Sequence, residues 1–239
     1  MITLTLAPAT LPEGQRVYAV GDVHGCDDRL AMMHGLIAAD LAARPVADPV
    51  VVHLGDYIDR GEASAAVIGR LMTPWSGPVA PRIVNLTGNH EAMMLTAIDS
   101  GDADEALQWL SNGGAQSLAS WGVPRRTRQR DWARAIPPDH LAFMRGLDVR
   151  FQAGGYLFVH AGLRPGVPLE RQSRHDMLWI REPFLSWQGE LPSVVVHGHT
   201  PDHDAVVRAN RIGVDTGAVL GGVLTCAVLE GDRMGFLRA

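Results

Sequence analysis

The stretch Val50-Val51-Val52-His53-Leu54-Gly55-Asp56-Tyr57-Ile58-Asp59-Arg60-Gly61 decides how this chain is built. Its first half is a short β-branched run. Its second half is a glycine-bounded loop with two carboxylates and an arginine, and a helical pattern over residues 62–72 follows. The same order occurs upstream, where strand-like residues 16–20 lead into Gly21-Asp22-Val23-His24-Gly25 and then a helical pattern over 27–43. It occurs again downstream, where residues 82–86 lead into Gly88-Asn89-His90-Glu91. Strand, polar loop and helix alternate, which is the βαβ logic of a mostly parallel sheet. Ligands of such sheets lie beyond the carboxyl ends of the strands, where all three loops fall.

From residue 91 to about 147 the strand signals stop. Apolar spacing becomes helical through 92–98, 103–110 and 115–121, with Pro124, Pro137 and Pro138 as punctuation. Pro138 suits the first turn of a helix running through Met144. Strands are expected again at 149–152, 156–160, 194–197, 206–208, 213–215, 223–229 and 234–238. Their close spacing at the end suggests an antiparallel second sheet. The expectation is an α/β chain forming one domain over 1–239, with a helical insertion at about 92–147.

At 239 residues and 46% hydrophobic, the chain has the size and composition of a globular protein with a substantial core. A formal charge of -5 gives no electrostatic footprint for nucleic acid. Arg125, Arg126, Arg128, Arg130 and Arg134 form a basic stretch, which reads as a solvated helix face or as an attraction for an anion. No apolar run is long enough to cross a bilayer, and residues 1–12 lack the pattern of a secretion signal. Two cysteines, Cys26 and Cys226, are too few for a disulfide framework, so a reducing cytoplasm is the expected compartment. Cys26 reads as small packing or an oxidation-sensitive thiol.

Chemistry concentrates in four runs, the three loops above and His197-Gly198-His199-Thr200. They bring carboxylate, amide and imidazole ligands together with glycine hinges and no cysteine, a set that suits a pair of divalent metals such as manganese, iron, zinc or magnesium. Two such ions 3.5–4 Å apart can share a water and clamp a phosphate during in-line displacement, at roughly that spacing in known dinuclear sites. Any single Asp or His here could equally cap a helix or donate one hydrogen bond. The ordered set is what carries weight.

These runs resemble the signature of the calcineurin-like metallophosphoesterases, in particular the phosphoprotein phosphatase branch with its small bacterial and phage serine/threonine phosphatases. The similarity extends to Phe158-Val159-His160-Ala161-Gly162, Trp179-Ile180-Arg181 and Asp215-Thr216-Gly217-Ala218. The resemblance implies a sandwich of two mixed β-sheets flanked by helices, with two divalent metals, Mn²⁺ foremost and Fe, Zn or Mg²⁺ as alternatives, at one edge. It implies that Asp22, His24 and Asp56 hold the first ion, that Asp56 bridges, and that Asn89, His160 and His199 complete the second. A bridging hydroxide then attacks phosphorus directly, His90 protonates the departing oxygen with Asp59 behind it, and Arg60, Arg181 and Asn89 bind the phosphate. Many members carry Arg where this chain has Thr87, so one positive contact is expected to be missing, and Arg82 lies too far back to stand in for it.

The implied function is a phosphomonoesterase acting on phosphorylated serine, threonine or tyrosine in proteins or peptides. The alternative, on the same fold, is a symmetrical dinucleoside polyphosphate hydrolase acting on a phosphate-containing nucleotide; Glu91 leans toward the first, since that sister group more typically shows Asp there. A non-catalytic metal-binding module is disfavoured because neither proton donor nor bridging ligand is lost. Neither nucleic acid nor membrane is an expected partner. Trp109, Trp121, Trp132, Met93 and Met94 read as core of the insertion, and His34, His53, His140, His175, His197 and His203 as packing or turn residues.

Overall fold

The computed structural model describes residues 2–239. Its strands are β1 (Thr5–Leu6), β2 (Gln15–Val20), β3 (Asp48–His53), β4 (Arg82–Asn85), β5 (Arg150–Ala153), β6 (Tyr156–Val159), β7 (Val194–His197), β8 (Val206–Val207), β9 (Arg211–Gly213), β10 (Thr225–Glu230) and β11 (Arg233–Arg238). They form two mixed sheets, ordered β1-β11-β10-β2-β3-β4 and β5-β6-β7-β9-β8. Parallel pairing of β2, β3 and β4 is what the repeated strand–loop–helix order demands. The intervening crossovers are α1 (Asp27–Ala43) and α2 (Ser64–Met72).

Register explains why β2 and β3 carry unbroken apolar runs, residues 17–20 and 49–52. Val17 faces Val50 and Ala19 faces Val52 across the β2/β3 pair. These four point between the sheets and meet Tyr156, Phe158, Val196 and Ile212 of the second sheet. The alternate residues Tyr18, Val20 and Val51 point outward against Leu30, Met33 and Ile37 of α1 and Val67 and Ile68 of α2. Both faces are covered, so period two is hidden beneath a continuous apolar run. Burying each such side chain contributes about 1.5–3 kcal/mol before entropy is counted, enough to fix the strand ends from which the loops depart.

Between β4 and β5 the chain is helical: α3 (Asn89–Ser100), α4 (Ala103–Trp109), a π turn at Leu110–Gly114, α5 (Ala115–Ser120), α6 (Trp132–Ala135) and α7 (Pro138–Arg145). Pro138 takes the first helical position, as expected. The five arginines of the basic stretch are exposed, as a solvated face requires, but only Arg134 lies on an α-helix, so the expected helix face is mostly turn and loop.

Three points differ from the sequence reading. The closely spaced last strands do not form a separate antiparallel sheet: β10 pairs antiparallel with β2, and the hairpin β10/β11 extends the first sheet. Local alternation marks a strand but says nothing of its partner. The strand expected at 213–215 lies at Arg211–Gly213, with Asp215 beyond its end. A helix α8 (Arg174–Trp179), too short to show a helical period, is capped by Ser173, whose hydroxyl accepts the Asp176 N–H at 2.9 Å.

Candidate metal centre

The polar loops converge at one edge of both sheets. Asp22 and His24 follow β2, Asp56 and Asp59 follow β3, and Asn89 and His90 open α3 after β4. His160 directly follows β6, and His199 lies two residues beyond β7. All eight of these side chains are buried, whereas Arg60 and Arg181 are exposed. His24, Asp56 and His199 adopt φ of 43°, 53° and 66°, in the left-handed region that non-glycine residues avoid at a cost of about 1–3 kcal/mol each.

Glu91 holds the strained loop. Its carboxylate accepts the N–H groups of Asp56 at 2.9 Å, Tyr57 at 2.8 Å, Ile58 at 3.3 Å and Gly88 at 2.8 Å. A Cβ on Gly88 would run into the Asp56 carboxylate, and one on Gly198 into that of Asp22.

Hydrogen-bond accounting tests whether this set suits a cation. The Nδ1 of His160 faces the Leu54 carbonyl at 2.9 Å, and the Nδ1 of His24 faces the Ile58 carbonyl at 2.8 Å. Carbonyls only accept, so each neutral ring carries its proton on Nδ1 and presents a lone pair at Nε2. The Nε2 of His160 then lies 2.9 Å from Asn89 Oδ1 and 3.4 Å from Asp56 Oδ1. The Nε2 of His24 lies 3.4 Å from Asp56 Oδ2. Burial lowers His24 and His199 to about 3 and lowers His160 too, so the rings are neutral at ordinary pH. Lone pairs facing one another in a buried site call for a cation; at His24 the Arg60 guanidinium meets that need, while the buried Nε2 of His199 has no hydrogen-bond partner.

The carboxylates agree. Burial raises Asp22 well above the usual carboxylate range, with Asp215 and Asp56 adding to it, and burial and Asp56 raise Asp215 to about 6. Burial pushes Asp56 up as well, but the imidazoles of His160, His90, His24 and His199 outweigh it and lower its pKa. Two donor groups result, His24–Asp56–His90 and Asp56–His160–His199, and Asp56 belongs to both. Hard oxygens with neutral imidazole fit divalent ions. Asp22 falls in neither tight group; its carboxylate instead accepts the His199 N–H at 3.0 Å. His90 stands there in its place.

His90 Nδ1 lies 2.7 Å from Asp59 Oδ2. Burial opposes charge on His90, but Asp56 and Asp59 outweigh it and raise its pKa. Arg60 extends one guanidinium nitrogen to His24 Nε2 at 2.9 Å and another to His90 Nε2 at 3.1 Å. Arg181 lines an open cleft of about 320 Å³ with Arg164, His175, Asp176 and Trp179. Its charge also lowers the pKa of His160 and His199, which places it beside the donor set. Thr87 turns its hydroxyl to the Gly88 carbonyl at 3.3 Å, and Arg82 stacks over Phe151, so neither replaces the missing arginine.

Sequence reasoning missed two contributors. Trp109 is core, as expected, but its indole N–H also donates to Asp59 Oδ2 at 3.0 Å; Ser117 donates to Asp59 Oδ1 at 2.6 Å. The run Asp215-Thr216-Gly217 was the one available signal for Asp215.

A family model described as calcineurin-like phosphoesterase matches residues 15–222. Serine/threonine-protein phosphatase 1 of Salmonella typhimurium is 29% identical, over 90% of this chain and 93% of that protein. A symmetrical bis(5'-nucleosyl)-tetraphosphatase of Acidovorax is 28% identical, over 78% of this chain and 57% of its own length. Among solved structures, a provisionally assigned diadenosine tetraphosphatase covers 98% of this chain and 99% of its own, with a TM-score of 0.67 at 23% identity. A mutant cold-active protein tyrosine phosphatase covers 97% of this chain and 83% of its own, with a TM-score of 0.62 at 16% identity; both likenesses concern the fold. With the family model spanning the edge where all these loops meet, the chain belongs to the calcineurin-like phosphoesterases.

Proposed function

We propose that this protein is a metal-dependent phosphomonoesterase acting on phosphorylated serine, threonine or tyrosine in proteins. The observation that carries the reading is the buried His90–Asp59 pair, 2.7 Å apart, set against a buried cluster of imidazoles around the Asp56 carboxylate. Asp22, His24 and Asp56 would hold one divalent cation, and Asp56, Asn89, His160 and His199 a second, with Mn²⁺ as the expected metal. Bound there, the ions would supply Lewis-acid activation of water and neutralise phosphate charge.

The chain's own residues do the rest. With Arg60 turned from His90 Nε2 to the phosphate, His90 in its imidazolium form delivers the Nε2 proton to the departing oxygen and is left neutral, with its remaining proton on Nδ1 toward Asp59. Asp59 fixes that tautomer and favours the charged form. Arg60 and Arg181 offer planar forks to phosphate oxygens. One domain with an insertion at about 92–147, working in a reducing cytoplasm, accords with the helices between β4 and β5 and with two unpaired cysteines.

Extent of match does not separate the two readings, since the match covers 93% of the Salmonella phosphatase and 93% of a Methylobacillus tetraphosphatase; Glu91, where the tetraphosphatase group more typically shows Asp, supports the protein phosphatase. Dinucleoside tetraphosphate hydrolysis is the second reading, supported by the tetraphosphatase relatives themselves. Phosphate release from phosphoserine, phosphothreonine and phosphotyrosine peptides, measured beside nucleotide release from diadenosine tetraphosphate, separates the two. The expected outcome is preference for a phosphopeptide; strong preference for the dinucleotide reverses the assignment.

A further inference from the structure

We propose that Trp109 and Ser117, on either side of the π turn, are positioning residues that lock the Asp59 carboxylate against His90. The proposal rests on the proton-donor role of His90 given above. Asp59, Trp109 and Ser117 are all at 0% exposure. Asp59 Oδ2 accepts from His90 Nδ1 at 2.7 Å and from Trp109 Nε1 at 3.0 Å, while Oδ1 accepts from the Ser117 hydroxyl at 2.6 Å. The same hydroxyl oxygen accepts the Asp59 backbone N–H at 2.8 Å, so Ser117 grips both ends of the residue. Asp59 itself is held at φ 72°, a conformation that needs external support.

This convergence is not what a regular helix offers. Eight residues along an α-helix are displaced by about 12 Å and roughly 80° around the axis, too far to meet on one carboxylate. The chain between is the π turn Leu110–Gly114, in which Gly113 has φ 107° and ψ 5°. Gly113 presses on the neighbouring loop: its carbonyl accepts the Arg60 N–H at 3.4 Å, and a Cβ there would run into the Arg60 backbone. A Cβ on Gly114 would come within 2.6 Å of the Trp109 indole. Two glycines therefore let the helix break where it must for both donors to reach Asp59. π turns of this kind concentrate at functional sites.

With donors on three sides the carboxylate cannot turn away, so the His90 ring is anchored through Nδ1 and its Nε2 edge is kept toward the substrate. Trp109 also packs edge-on against Trp132 at 5.5 Å, so a test must separate packing from positioning. Leaving-group dependence does so. A phenolate of high pKa needs the proton, whereas dinitrophenolate departs without it. In the metal-loaded enzyme, Ser117→Ala and Trp109→Phe are expected to lower kcat on phenyl phosphate about tenfold, a part of what general acid catalysis contributes. They are expected to leave kcat on 2,4-dinitrophenyl phosphate and KM on both substrates little changed, and Ser117→Thr is expected to restore the loss.

A second readout needs neither metal nor turnover. The indole N–H resonance that disappears in Trp109→Phe is expected to shift in Asp59→Asn and in Ser117→Ala. Equal losses on both substrates, or an indole resonance indifferent to Asp59→Asn, overturn the proposal. If His90→Asn shows leaving-group dependence and the two variants do not, positioning alone is refuted; if His90→Asn shows none, the proton-donor reading falls and this proposal falls with it.

Discussion

At the scale of single residues, His90 is the side chain whose surroundings point two ways. It shares a tight group with His24 and Asp56, as a ligand would, yet its other nitrogen is bound to Asp59, and Asp56 and Asp59 together raise its pKa against burial, as suits a proton donor. His90→Asn decides between them, because asparagine can still hydrogen-bond Asp59 but cannot carry a proton. Expected is a fall in kcat of about 10²–10³, within the range of general acid catalysis, with bound metal per chain unchanged. A fall in bound metal would place His90 among the ligands. The sequence let His90, Asp59 and the candidate metal ligands be named because each is a polar side chain within two residues of a glycine, just past the end of a strand. Glu91 was legible only as part of a motif. That its carboxylate gathers four backbone N–H groups from two loops depends on how β3 and β4 lie together, which no local pattern encodes.

At the scale of elements, α1 is fastened to β3 and β4 by a chain of imidazoles that read only as packing in the sequence. His53 Nδ1 lies 2.8 Å from Asn85 Oδ1, and His53 Nε2 lies 2.9 Å from His34 Nε2. An amide oxygen only accepts, so His53 carries its proton on Nδ1 and takes a hydrogen bond from His34. A further proton would set two N–H groups face to face. Burial lowers His53 to about 3 and His34 to about 4, with the His34 ring adding to the effect on His53 and Arg70 to that on His34. Both folded-state values lie below the unfolded value near 6.5, so the stability these rings contribute is complete above about pH 6.5 and is lost as pH falls toward 4. In urea unfolding at pH 7 and pH 4.5, His34→Gln should shrink the pH-dependent loss by about 1–3 kcal/mol. An undiminished loss in the variant would show that the pair does not titrate in this way. Strands and long helices were legible because their apolar spacing is repeated several times; α8, with six residues, and the π turn, whose effect lies in the angle at Gly113, were not.

At the scale of the molecule, the donor set is distributed so that no single layer owns it. Asp22, Asp56 and Asn89 hang from the first sheet, His160 and His199 from the second. The sheets otherwise meet through apolar contacts, while Asp22, Asp215 and Asp56 oppose one another across the edge. Divalent ions held there would tie the sheets together and relieve that repulsion, and unfolding either sheet would dismantle the site. Folding and metal binding are then linked: a metal at a hundred times its dissociation constant adds about 2.7 kcal/mol per site. For a chain of this size, 1 kcal/mol corresponds to about 2–4 °C in the unfolding temperature. Calorimetry with chelator and then with excess Mn²⁺ should therefore show a rise of about 10–20 °C on filling both sites, together with the gain of phosphatase activity. Asp56→Asn, which removes the one carboxylate common to both donor groups, should abolish the rise while leaving a folded protein, since Glu91 still holds its loop. An unfolding temperature that ignores Mn²⁺ in the unaltered protein would mean that the converging lone pairs are satisfied by protons, and the metal reading would fail at its foundation.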